Sequence, residues 1–143
     1  MQTPPQKVLV GGCFDILHYG HVRFLELAKA QGTHLIIALE SDDAILRGKK
    51  RHPIHTQEER AHILLALTCV DDVISLPLLS TYDDYLGVVK SIGPAVIATT
   101  SGDPQLNNKR MQAQTIGARL EIVIPLLEGF SSSRILALLE EEL

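Results

Sequence analysis

Cysteine is scarce: Cys13 and Cys69 are the only two among 143 residues. That is too few for a disulfide framework, so a reducing cytoplasm is the simpler setting. An excess of basic charge is also lacking. Thirteen Lys and Arg stand against 17 Asp and Glu, a formal net charge of −4, which argues against a dedicated nucleic-acid binder. No apolar run reaches membrane-spanning length, and Met1 to Gln6 has no charged segment leading into an apolar one. The expectation is a protein that is neither membrane-inserted nor exported. No Gly-x-x-x-x-Gly-Lys-Ser/Thr occurs, which removes P-loop enzymes. Repeats, low-complexity tracts and linkers are missing too, and the length suits one domain over 1–143 with a workable core.

What is present is an alternation of short β-branched runs with helix-period segments, the pattern of a parallel sheet covered on both faces. Strands are expected near 7–12, 34–40, 72–76, 95–100 and 119–124. Helices are expected near 19–31, 56–68, 82–92, 103–116 and 132–142. Thr56-Gln57-Glu58-Glu59 fits a capping box, Asp103-Pro104 sets a cap before a first-turn proline, and Gly32 and Gly117 sit where helices stop. The segment Arg47 to His55 is polar and rich in Lys, Arg and His. It reads as a mobile basic loop over a site.

The densest signal is Gly11-Gly12-Cys13-Phe14-Asp15-Ile16-Leu17-His18-Tyr19-Gly20-His21, between the apolar run Val8-Leu9-Val10 and a helical pattern from Val22. Paired glycines let a backbone approach a ligand closely, and a helix start offers unpaired N–H groups at the positive end of a dipole. His18 and His21, three apart on a first turn, can face one point. Together these features make a phosphate site. Three serines, Ser131-Ser132-Ser133, open the last amphipathic segment, where hydroxyls can cap backbone N–H groups or donate to phosphate oxygens.

On these motifs the chain resembles the HxGH nucleotidyltransferase superfamily in its cytidylyltransferase-like branch. The likeness runs from near residue 8 to near residue 136. It is similar to glycerol-3-phosphate cytidylyltransferases, to the nucleotidyltransferase domain of heptose-phosphate enzymes and to archaeal FMN adenylyltransferases. The resemblance implies a single Rossmann-like, doubly wound α/β domain with a five-stranded parallel sheet in the order 3-2-1-4-5. The crevice would lie where that order reverses, between the first and fourth strands.

The resemblance also implies roles. His18 and His21 would hold the phosphates around the α-position as catalytic groups, with Gly11, Gly12, Cys13, Phe14 and Gly20 shaping the nucleotide loop. Ser131, Ser132 and Ser133 would hold the β- and γ-phosphates. A lysine from the basic loop, Lys49 or Lys50, would reach the triphosphate. Arg60 matches a family arginine that points to the ligand, although an exposed helix charge explains it equally. Asp15 is read as a structural tie for the loop, and Asp42 and Asp43 as partners of ribose or metal-bound water, or as caps.

Mg²⁺ is expected as counter-ion of the triphosphate, with no protein cage of its own. The partners implied are CTP or ATP and a phosphorylated small-molecule acceptor, with CTP slightly ahead and a sugar or polyol phosphate as first choice. Adenylyl transfer to heptose phosphate or FMN is the main alternative, and a nucleotide-binding module without turnover is another. Cys13 stands where many members have Thr, and Leu126 where glycerol-3-phosphate cytidylyltransferases have Arg, so acceptor identity stays open. Family members often pair into homodimers; no feature here decides oligomeric state.

Overall fold

The computed structural model describes residues 4–124. The expected last helix near 132–142 lies outside that range, as do Ser131, Ser132 and Ser133.

Five strands, β1 (Lys7–Gly12), β2 (His34–Leu39), β3 (Asp72–Ser75), β4 (Val96–Thr100) and β5 (Arg119–Ile124), make one sheet in the order β3-β2-β1-β4-β5. Every neighbouring pair is parallel. The helices are α1 (Tyr19–Lys29), α2 (Asp42–Lys49), α3 (Gln57–Leu65), α4 (Tyr82–Ile92) and α5 (Leu106–Ile116). The α/β Rossmann-like expectation and its strand order therefore hold.

Strand alternation divides the core into two layers. Val8 and Val10, Leu35, Ile37 and Leu39, and Val96 and Ala98 face α1 and α3, where they pack with Leu25, Ala28 and Leu64. Leu9, Ile36, Ala38 and Ile97 face the other way, towards Val89 and Ile92 of α4 and Ala113 of α5. Burying an aliphatic side chain of this size contributes about 1.5–3 kcal/mol, so both layers hold the sheet. The reversal of strand order between β1 and β4 sets the carboxyl end of β1 at the mouth of a crevice.

Local signals explain most boundaries. Thr56 and Glu59 form the expected capping box on α3, and Thr81 with Asp84 forms a second on α4. Gly117 ends α5 in the left-handed region at φ +73°. Gly32 serves differently: a Cβ there would stand 2.5 Å from the Gln6 carbonyl oxygen, so the requirement is close approach to β1.

Two expectations are corrected. Arg47, Gly48 and Lys49 belong to α2, whose N-cap Ser41 accepts from the Ala44 N–H at 3.1 Å, so the basic loop is confined to the residues after Lys49. The helix placed from 103 begins at Leu106, because the Asp103 carboxylate accepts from the Gln105 N–H and from Thr99 and Lys109.

Candidate active site

Gly11 and Gly12 close β1, and the chain then turns sharply at Phe14, which adopts φ +47°, left-handed for a non-glycine residue. The turn drives the Phe14 ring into the α1 layer, 8% exposed. A Cβ on Gly12 would stand 2.9 Å from that ring, which is why residue 12 has no side chain.

His18 is the N-cap of α1, its Nδ1 accepting from the His21 N–H at 3.4 Å. The two imidazoles stack with centroids 3.8 Å apart and planes 20° from parallel, and Phe14 meets His21 edge-on at 5.3 Å. The pair thus stands over the first turn of a helix, where unpaired N–H groups and the dipole favour an anion. Gly20 lies within this turn.

Burial lowers the pKa of both histidines. His21 is brought down to about 4, by burial first and then by the neighbouring His18 and the charge of Lys49, against a weaker opposing hydrogen bond with the Ile16 backbone. At neutral pH the free protein therefore presents neutral imidazoles. Both gain basicity as negative charge arrives.

The two candidate lysines part company. The charge of Lys49, at the end of α2, acts on both His21 and Cys13. Lys50 caps that helix in the left-handed region at φ +57°, exposed.

Asp15 is a clasp between distant segments. Its fully buried carboxylate accepts from Arg51 Nη1, Ile54 N and His55 N, each at 3.0 Å. Burial alone would raise its pKa; those three donors outweigh it and hold the carboxyl below the usual range. The structural role read from the sequence stands, with partners that lie beyond the carboxylate's own loop and restrain the basic segment after Lys50.

Arg60 is not the exposed helix charge. Its side chain is 0% exposed. Nε donates to His55 O (3.1 Å), Nη1 to Cys13 O (2.8 Å) and Glu40 O (2.9 Å), and Nη2 to Asp42 Oδ1 (2.6 Å). A planar guanidinium meets this set of acceptors where an ammonium would not. Asp42, 45% exposed, thereby pairs with a fully buried arginine, and Asp43 lies in the first turn of α2.

On the opposite face of the sheet, between α2, α4 and α5, opens a cavity of about 780 Å³. Leu9, Ala38 and Ile97 form its floor, and Leu76, Leu79 and Val89 its sides. Gly11 and Cys13 stand at its rim, shared with the histidine loop. Gly11 is in phase with Leu9, so a side chain there would project over the floor; a Cβ would touch only Ala38 O, at 3.8 Å.

Polar groups enter at a few points. Tyr85 Oη donates to Glu40 Oε2 at 3.1 Å. Burial raises the Glu40 pKa, and burial together with the adjacent carboxylate pushes Tyr85 up to about 12. Asp103, Lys109 and Gln112 also line the cavity. Burial works against ionised Asp103, but Lys109 and Thr99 overcome it and the carboxyl stays below its ordinary pKa. Sequence reasoning placed the segment after Thr99 and Thr100 beside the crevice but missed Glu40, Tyr85 and Gln112. The signal available was phase: Glu40 continues the alternation of Ile36 and Ala38, and Thr99 that of Ile97.

The cytidylyltransferase-like family model matches residues 9–135. A bifunctional protein HldE of Geobacter sulfurreducens is 39% identical over 90% of this chain, and the chain spans only 26% of that relative. An FAD synthase of Pyrococcus abyssi is 36% identical, with 82% of this chain covering 78% of that protein. Among solved structures, a lipopolysaccharide core biosynthesis protein of Thermoplasma volcanium superposes with a TM-score of 0.67 at 24% identity, covering 85% of this chain and 97% of its own. That last likeness shows the fold alone.

Fold, glycine turn and paired histidines together set the class of α/β protein, and the family match gives that class its name. The chain belongs to the cytidylyltransferase-like family, and the HldE and FAD synthase relatives are its kin by sequence.

Proposed function

We propose that the protein transfers a nucleotidyl group from a nucleoside triphosphate to the phosphate of a small metabolite. An acceptor phosphate oxygen attacks the α-phosphorus, a new P–O–P bond forms, the α–β bridging bond breaks and pyrophosphate leaves. The observation that carries this reading is the stacked His18–His21 pair at the start of α1.

No protein nucleophile is needed, so catalysis rests on positioning and on stabilising charge. His18 and His21 donate N–H groups to phosphate oxygens around the α-position. Starting neutral, they take on more positive character as charge builds on those oxygens. Of the two lysines we assign Lys49 to the triphosphate, a choice supported by the action of its charge on His21 and Cys13. Arg60 and Asp15 position the loop from beneath. Ser131, Ser132 and Ser133 are assigned to the β- and γ-phosphates. Mg²⁺ arrives with the triphosphate and stays largely on its oxygens; the described residues contain no group of three His, Cys, Asp or Glu side chains placed to hold a metal.

The FAD synthase relatives favour ATP and AMP transfer. Transfer of CMP to a sugar or polyol phosphate is the reading the sequence placed first, and both share one assay. Thermal stabilisation by ATP or by CTP, each with Mg²⁺, identifies the donor, because a ligand of the native state adds about 2.7 kcal/mol at a hundredfold excess over its Kd. Stabilisation by ATP alone supports adenylyl transfer, and by CTP alone cytidylyl transfer. His18→Ala and His21→Ala should each abolish acceptor-dependent pyrophosphate release with the far-UV spectrum unchanged. Turnover retained by either variant refutes the assignment. Among the described residues no helix is long and apolar enough to cross a membrane, and we place the reaction in the cytoplasm.

A further inference from the structure

Glu40 is a half-buried carboxylate that the transfer chemistry does not use. It follows β2 and continues the phase of Ile36 and Ala38 over the aliphatic floor of the cavity. An apolar residue there would join that layer, whereas a carboxylate loses water and must recover it from fixed partners. Its side chain has such a partner in α4, the Tyr85 hydroxyl, which donates to Oε2 at 3.1 Å.

The backbone of the same residue is bound to the histidine turn. Glu40 N donates to Gly12 O at 3.0 Å, and Glu40 O shares Arg60 Nη1 with Cys13 O, at 2.9 and 2.8 Å. One residue thus meets α4 through its side chain and Gly12-Cys13 through both of its flanking peptide groups. Among the described residues, α4 is hydrogen-bonded to the strands and their ends at two points. Lys7 Nζ donates to Ile92 O at 3.1 Å at the amino end of β1, away from the histidines. Tyr85 acts at the other end of the sheet, where the site lies.

We propose that Tyr85 is a positioning residue for the transfer: by holding Glu40 it fixes the turn at Gly12 and Cys13 from which His18 and His21 are presented. The inference rests on the transferase reading above, and it requires no contact of Tyr85 or Glu40 with either substrate.

A hydroxyl makes a stronger bond to a carboxylate than to a neutral carboxyl. The grip on the turn therefore weakens when Glu40 takes a proton. Burial favours that proton and prevails, while the Tyr85 hydroxyl of α4, Lys109 of α5 and Arg60 of α3 oppose it. Cys13, on the turn itself, is the other titratable group facing the carboxyl. Tyr85, pushed up to about 12, remains a donor throughout.

The test uses the full chain with Mg²⁺, ATP or CTP as donor, and glycerol 3-phosphate, ribose 5-phosphate or FMN as acceptor. Pyrophosphate release is read on the pair that turns over. Tyr85→Phe should lower kcat about tenfold above the range where Glu40 titrates, the lower end of what a hydrogen bond to a charged group contributes. Thermal stabilisation by the nucleotide should be unchanged. Wild-type kcat should fall on acidification along a limb that Tyr85→Phe and Glu40→Gln both flatten. Glu40→Gln keeps an acceptor for the phenol and should lose less kcat. The double variant should match Tyr85→Phe alone, since both changes act through one bond. Exchange of the Glu40 amide proton, bonded to Gly12 O, should quicken several-fold in Tyr85→Phe.

An unaltered kcat in Tyr85→Phe overturns the proposal. So does a lowered kcat with the acid limb intact, which marks a merely structural phenol, and so do additive losses in the double variant. No turnover by the wild type with any pair removes the transferase reading and this role with it, while amide exchange still reports whether the bond restrains the turn.

Discussion

Replacing Arg60 tests whether the guanidinium is a strut or a ligand contact. Arg60→Met keeps an apolar stem of similar length and removes every N–H. Three backbone carbonyls, those of Cys13, Glu40 and His55, lose their donor together, and Asp42 loses its cation. The side chain is fully buried, so water does not replace those bonds without opening the loop. Asp42 is 45% exposed and is resolvated by water, so the cost falls on the carbonyls, and one unsatisfied buried acceptor costs about 1–3 kcal/mol. Because the carbonyls share one donor group, these costs overlap, and the expected loss is about 3–5 kcal/mol in total. Against a domain stability of about 5–15 kcal/mol the effect is large. Urea titration should show Cm falling by about 2 M at a slope near 2 kcal/mol per M, with the slope itself retained. Arg60→Lys should fall between, since one ammonium cannot span acceptors on three segments. A loss under about 1 kcal/mol in Arg60→Met, with nucleotide stabilisation abolished, would refute the strut and restore the direct contact.

Stability should also fall on acidification through a defined window. His21 has its pKa depressed from 6.5 to about 4 on folding, so below pH 6.5 the unfolded chain takes up a proton that the folded chain refuses. The contribution is fully present above pH 6.5, is lost progressively down to pH 4, and amounts to about 3 kcal/mol; His21→Asn should flatten the dependence of Cm on pH across that window, and an unchanged slope would contradict the burial argument. The same substitution should have opposite signs at two glycines. Gly32→Ala brings a Cβ to 2.5 Å from Gln6 O and 2.7 Å from Val8 Cγ2 and should cost about 1–3 kcal/mol, whereas Gly48→Ala, inside α2 with nothing within 4 Å, should add about 0.5–1 kcal/mol; equal Tm shifts in the two variants would sink the distinction.

Strand positions were legible because buried parallel strands are written as continuous β-branched runs. All five begin within a residue of the expected place. Helix α2 was not given bounds, since its eight residues carry Gly48 and charged side chains and bury only Ile45; Asp42 and Asp43 therefore read as partners of ribose or metal-bound water, or as caps of a short helix. The HxGH loop was legible as a motif because glycine, histidine and a helix start are neighbours in sequence. The environment of Arg60 was not, because its acceptors are backbone carbonyls at residues 13, 40 and 55, and carbonyls leave no trace in composition. The Glu40–Tyr85 pair was hidden for a related reason: its halves lie 45 positions apart and meet only when the fold brings α4 over the end of β2.

The clasp at Asp15 has a consequence for how this chain tolerates change. One carboxylate fixes the segment from Arg51 to His55 against the turn that carries the histidines. An inserted residue between Lys50 and Thr56 would therefore be felt far upstream at Asp15, forty positions before His55, and through it in the placement of His18. Surface loops usually absorb length variation without penalty; this one is in effect part of the catalytic frame, and its length should be as restricted as the motif itself.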